Sequence, residues 1–125
     1  MSMNLTVAGA SAKPIYQQLF EQISAQIIRG ELKEGFCLPP IRTVAKELRI
    51  SVITVKAAWE ELERNGFIVT MVGKGCFVAP LKSSDLSSKR DQMVLAKLLK
   101  DIAYYKTLGL SAEELIELIE ENYSS

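Results

Sequence analysis

Within residues 42–56, four cationic side chains flank the run Ser51-Val52-Ile53-Thr54, two hydroxyls around two β-branched apolar residues. The cations are Arg42, Lys46, Arg49 and Lys56, and only Glu47 opposes them. Guanidinium and ammonium groups neutralise phosphate, and a hydroxyl at a helix N-terminus holds a phosphate oxygen. Apolar side chains displayed beside them suit the methyl group of thymine, the base that offers one in the major groove. A second group, Gly73-Lys74-Gly75, places a cation between residues that let the backbone approach a phosphate closely. This is the chemistry of binding a polyanion.

The chemistry of turnover is missing. The chain has no histidine, which removes the usual general base, the Ser-His and Cys-His pairs and most catalytic zinc sites. Cys37 and Cys76 form no CxxC and read as inert thiols, so neither a metal nor a cofactor is expected. Gly73-Lys74-Gly75 lacks the spacing of a nucleotide-binding loop. The carboxylates fall on solvated helix faces, which leaves an enzyme a distant third among the functions the sequence allows.

A chain of 125 residues, 48% apolar and 24% charged, makes one folded domain, alone or with an appendage. Its fifteen basic and fifteen acidic residues cancel, but unevenly. Residues 1–82 carry ten basic against seven acidic side chains; residues 83–125 carry five against eight. A basic front can attract phosphate while the acidic rear repels it. No apolar run reaches membrane-spanning length. The first twelve residues carry no Lys or Arg ahead of a short apolar stretch, unlike a secretory leader, so the expected location is the cytoplasm.

Periodicity supplies the elements that must hold these groups. Tyr16, Phe20, Ile23 and Ile27, with Leu19 beside them, predict a helix over 15–29, opened by Pro14 and closed by Gly30. A connector follows and ends in Pro39-Pro40. Ile41, Val44, Ala45 and Leu48 predict a short second helix. Arg49-Ile50-Ser51 reads as a turn, with Ser51 the N-cap of a third helix through Arg64 that buries Val55, Ala58, Trp59 and Leu62. Phe67–Val72 and Cys76–Ala79 flank the glycine-rich tip as a β-hairpin. Helix, helix, tight turn, helix, hairpin is the order of a winged helix-turn-helix, mainly α with a small β element.

Leu81–Ser88, with four serines, reads as a polar joint between a domain over 1–82 and a tail over 83–125. In the tail, Leu95, Leu98, Leu99, Ile102 and Tyr105 predict a helix from near Asp85 to near Gly109. Ser111-Ala112-Glu113-Glu114 is a capping box for a last helix carrying Leu115, Ile116 and Ile119. Two helices with wide apolar stripes cannot bury them on each other alone, so these residues are expected to pair with a second copy as a homodimer.

Residues 14–80 closely resemble the DNA-binding domain of GntR-family bacterial transcription regulators. The likeness runs in order through Pro-x-Tyr at Pro14, Gly30-Glu31-Leu32, Leu-Pro-x-x-Arg ending at Arg42, Thr54-Val55, Leu62-Glu63-x-x-Gly66, and Gly-x-Gly-x-Phe-Val from Gly73. The short tail resembles the YtrA subfamily, whose tail mainly dimerises; larger subfamilies append far longer domains. The resemblance implies a sequence-specific regulator, foremost a repressor of a nearby operon, with transporter genes as typical targets of the subfamily. It implies contacts to double-stranded DNA at Arg42, Ser51, Val52, Ile53, Thr54 and Lys56, with Gly73, Lys74 and Gly75 at the minor groove. By helix phase alone Arg42 is a solvated surface arginine; the motif reverses that. Lys46 and Arg49 stay divided between phosphate contact and solvent.

Three positions depart from the family pattern. Pro40 stands where Ser is usual, removing a cap and a phosphate contact. Arg49 stands where a turn glycine is common, so a left-handed backbone there would be strained by about 1–2 kcal/mol. Val52 stands where many relatives have Arg, which reads guanine bidentately, so an operator richer in A·T is expected. Regulation is left to a small ligand in the dimer seam, to the cysteines or to a protein partner. The competing reading is a ligand-sensing or protein-binding winged helix without a DNA function.

Overall fold

A computed structural model describes residues 3–124. The chain divides into two compact units, one up to Leu86 and one from Ser87 on. The element order is α1 (Ile15–Ile28), α2 (Ile41–Leu48), α3 (Val52–Arg64), β1 (Ile68–Met71), β2 (Gly75–Val78), α4 (Ser83–Thr107) and α5 (Ala112–Asn122). This is the mainly helical winged arrangement that the sequence predicts.

The core of the first unit joins Leu19, Ile23 and Ile27 of α1, Val44 and Ala45 of α2, and Val55, Ala58, Trp59 and Leu62 of α3, all buried. Removing each large apolar side chain from water contributes about 1.5–3 kcal/mol, which is what holds the short α2 against α3. Phe67, Ile68 and Val78 extend the core to the hairpin, and Phe67 meets Phe20 edge-on with ring centroids 6.1 Å apart. The stripe of α1 is centred one residue away from its sequence reading. Leu19 is fully buried, whereas Tyr16 is 40% exposed, and the polar Ser24 and Gln26 are buried.

Pro14, expected as the first helical residue of α1, is instead its N-cap, and Pro40 caps α2 in the same extended conformation. Neither provides a side-chain cap. β1 and β2 pair antiparallel with Ile68 opposite Val78 and Met71 opposite Gly75. The connector after α1 does more than connect. Gly35 and Leu38 donate backbone N–H groups to the Val78 and Cys76 carbonyls, both at 2.9 Å, and Cys37 bridges Phe77 as a third, one-residue strand. This anchors the Pro39-Pro40 entry to α2 on the hairpin.

The four-serine stretch, read as a polar joint, is helical from Ser83 on, and the two compact units divide within it. α4 begins at Ser83 because the Asp85 carboxylate accepts the Lys82 backbone N–H at 3.0 Å, satisfying one free donor at the helix start. In the second unit Ser111 and Glu114 form the expected capping box at the start of α5.

Candidate nucleic-acid interface

The turn between α2 and α3 is closed by backbone geometry. Ile50 N–H donates to the Ala45 carbonyl at 2.9 Å and Arg49 N–H to the Lys46 carbonyl at 3.3 Å, with Arg49 left-handed at φ 56°, ψ 48°. This is a Schellman motif, and it requires the strained conformation at Arg49 that the sequence put in question. Val44 and Ala45 pin α2 against α3, so the angle at which α3 leaves the turn is fixed by buried contacts on both sides.

Ser51 then caps α3: its hydroxyl oxygen accepts the Ile53 N–H at 3.1 Å. The hydroxyl hydrogen is left over as a donor for an incoming oxygen. Ile53 is 78% exposed and Val52 40% exposed, while Thr54 is half-buried and Lys56 exposed. The opposite side of α3 carries the core residues Val55, Ala58, Trp59 and Leu62. An exposed isoleucine on a helix this well anchored displays apolar surface outward.

Arg42, Lys46, Arg49 and Lys74 are also exposed. Among the described residues the side chains of these four and of Lys56 form no ion pair, whereas Lys13, Arg29 and Arg64 pair with Glu21, Glu31 and Glu61. The Glu31 carboxylate, bonded by Arg29, raises the arginine's pKa and has its own lowered in turn. Cations with no internal partner remain available to an external anion.

The wing tip is a tight turn: Lys74 N–H donates to the Met71 carbonyl at 2.9 Å, and Gly73 and Gly75 have positive φ, Gly75 as the first residue of β2. A cleft of about 340 Å³ brings Lys74 and Gly75 to Arg42 at the start of α2, over a floor that includes Pro39, Pro40 and Trp59. Trp59 is 4% exposed and belongs to the core. Cys37 and Cys76 border this cleft as free thiols. Among the described residues no group of His, Cys, Asp and Glu side chains could hold a metal ion.

In the second unit Leu95, Leu98, Leu99, Ile116 and Ile119 are exposed. Ile102, Tyr105 and Leu115 instead come together, half-buried around a space of about 110 Å³ between α4 and α5. Val94, Leu108, Leu118 and Tyr123 are exposed too, and the sequence reading did not include them.

Residues 15–78 match the family described as bacterial regulatory proteins, gntR family. The chain belongs to the GntR family. It falls in the family's YtrA-like branch: it is 32% identical to the HTH-type transcriptional repressor YtrA of Bacillus subtilis, over 89% of this chain and 85% of that protein. A transcriptional antiterminator from Listeria monocytogenes EGD-e has a solved structure that superimposes with a TM-score of 0.77, at 34% identity over 99% of this chain and 92% of that one. The DNA-binding domain of AraR, solved in complex with operator ORX1, superimposes with a TM-score of 0.53 at 27% identity, over 60% of this chain and 93% of that domain. The GntR relatives that the chain matches are named as transcription regulators. Among the described residues no helix of this GntR protein is long and apolar enough to cross a membrane.

Proposed function

We propose that this DNA-binding transcription regulator is a cytoplasmic, homodimeric repressor without catalytic activity that reads a pseudo-palindromic operator through the first turn of α3. The observation that carries this reading is the outward display of Val52, Ile53 and Lys56 on a helix whose other side is sealed in the core. In the major groove the two apolar side chains meet thymine methyls, while Thr54 and Ser51 reach base edges or phosphate. Arg42, Lys46, Arg49 and Lys56 neutralise flanking phosphates. Lys74, with Gly73 and Gly75 on either side, does the same at the minor groove. The operator complex of the AraR domain supports DNA as the partner, and the YtrA repressor supports repression.

Residues 1–82 form the DNA-binding domain and 83–125 the dimerisation tail. No residue of α4 or α5 is buried within the chain, and the uncovered leucines and isoleucines need a partner face. A two-fold pair sets two recognition helices on half-sites about one helical turn apart. The second half-site is then met at high effective concentration.

Fluorescence anisotropy with DNA from upstream of the protein's own gene tests the reading. Affinity should fall steeply with salt, by about 0.9 log units per log unit for each phosphate neutralised. Arg42→Ala and Thr54→Ala should each weaken binding without unfolding the domain. Salt-independent binding, or none to any duplex, would overturn it.

A further inference from the structure

Residues 3–8 run antiparallel to α1 along a ladder of three glutamines. Gln18, Gln22 and Gln26 are four residues apart, so their carboxamides follow one line at intervals of about 6 Å. Both ends of the Gln18 and Gln22 carboxamides, and the amide nitrogen of Gln26, find backbone partners. Ala8 N–H donates to Gln18 Oε1 at 2.8 Å, and Gln18 Nε2 donates to the Ala8 carbonyl at 3.0 Å. Thr6 N–H donates to Gln22 Oε1 at 3.0 Å, and Gln22 Nε2 to the Thr6 carbonyl at 2.6 Å. Gln26 Nε2 donates to the Asn4 carbonyl at 2.9 Å. The partners step by two residues, which in an extended strand is about 6.6–6.8 Å and matches the helical interval.

An extended strand has two edges, and alternate residues serve them. Asn4, Thr6 and Ala8 turn their backbone groups to α1. Leu5 and Val7 turn theirs the other way, and among the described residues neither makes a backbone hydrogen bond. Their side chains, with that of Met3, are half-buried, while those of Asn4, Thr6 and Ala8 are exposed. The arm is therefore a strand with one edge satisfied by α1 and the other open, the arrangement that accepts a further strand.

We propose that this open edge pairs antiparallel with the same edge of a second copy of the chain. The pattern is self-complementary. A two-fold axis at Thr6 sets Leu5 opposite Val7 of the second copy and Val7 opposite its Leu5, and each pair exchanges both N–H···O bonds. Thr6 then faces its own counterpart as the non-hydrogen-bonded pair. The first twelve residues carry no charged side chain, so nothing in the arms repels an identical arm. A bare two-stranded ribbon is marginal in water; here each strand is already held straight by three side chains of α1. This contact is separate from the pairing of the tails and does not depend on DNA binding.

Cysteine cross-linking in the full chain tests the register, with Cys37→Ser and Cys76→Ser removing the native thiols. Opposed Cα atoms in a non-hydrogen-bonded pair are about 4.5 Å apart, within the range of roughly 4.4–6.8 Å that a disulfide spans. Thr6 contributes only backbone to the ladder, so Thr6→Cys should leave the fold intact and give a covalent dimer under mild oxidation. Ala8→Cys faces Asn4 of the second copy, so it should cross-link only when mixed with Asn4→Cys chains. Adding Leu5→Pro, which deletes an edge N–H without touching the ladder, should slow Thr6→Cys cross-linking at least tenfold. A Thr6→Cys chain that folds and stays uncrosslinked would overturn the proposal. So would an Ala8→Cys chain that cross-links alone as fast as Thr6→Cys.

Discussion

Ile50 N–H reaches back across Arg49 to the Ala45 carbonyl at 2.9 Å, and this bond sets the turn that aims α3. α1, α3 and α4 end in the same kind of reversal, with Gly30, Gly66 and Gly109 at positive φ. Among the described residues Arg49 is the sole non-glycine at positive φ. Holding an L-residue there costs about 1–2 kcal/mol, so α2 ends on the less stable choice while displaying a cation.

Arg49→Gly separates the two roles. It should raise unfolding stability by about 1 kcal/mol in a denaturant titration. In the same protein the slope of log affinity against log salt should become shallower by about 0.9. A gain in stability with an unchanged salt slope would show that Arg49 touches no phosphate.

Ile53→Ala tests the apolar display. Because Ile53 is 78% exposed, unfolding stability should stay within about 0.5 kcal/mol of the parent. Operator affinity should drop about fivefold, equivalent to about 1 kcal/mol, most strongly on sites with thymine at the contacted position. Replacing that thymine by uracil, which lacks the methyl, should weaken the parent and leave the variant unaffected.

Val52→Arg should change which sites are chosen. The parent is expected to select A·T-rich half-sites from a randomised pool. The variant should gain preference for a guanine in each half-site, worth about 1–3 kcal/mol of discrimination. An obligatory G·C pair in the sites selected by the parent would contradict the assigned role of Val52.

Much of this was legible because helices announce themselves by period. The α2–turn–α3 unit, the hairpin and the Ser111–Glu114 box each have local signals that tertiary contacts reinforce. What was hidden depends on pairing at a distance. The connector's pairing with β2 leaves no pattern, because a one-residue bridge at Cys37 has no alternation to read. The serine run at the start of α4 is helical through one carboxylate, Asp85, against weak local propensity. Burial of Ser24 and Gln26 on α1 breaks the hydrophobic rule, and for Gln26 the cause is a partner in the arm. Of the interface, residue types and order were visible. That its cations have no internal anion was not, since pairing is set by the fold.

The tail's leucines allow a direct test of the dimer. Leu95→Asp and Leu99→Asp place charges on exposed apolar positions of α4, so neither should unfold the first unit. In sedimentation both should move the protein toward monomer, and operator affinity should fall by about 10²-fold or more as the second half-site is lost. Binding to an isolated half-site should be unchanged. Variants that remain dimeric would remove α4 from the seam.

Acid should loosen α5 through a single carboxylate. Ser111 donates its backbone N–H to Glu114 at 3.0 Å, and the Glu114 N–H returns to the Ser111 hydroxyl at 3.1 Å. The backbone donor chiefly, and then the Ser111 hydroxyl, hold the Glu114 pKa below its ordinary value. As pH falls, the unfolded chain therefore takes up this proton before the folded one does. The cap's contribution is complete above the ordinary glutamate range, about 4.3, and is lost as pH drops through the lowered folded value. An NMR titration should place the Glu114 carboxyl below the ordinary glutamate value. Glu114→Gln keeps an acceptor for the Ser111 N–H but cannot titrate, so this part of the acid-induced loss of α5 helicity should vanish. An unchanged acid transition in that variant would assign the loss to other carboxylates.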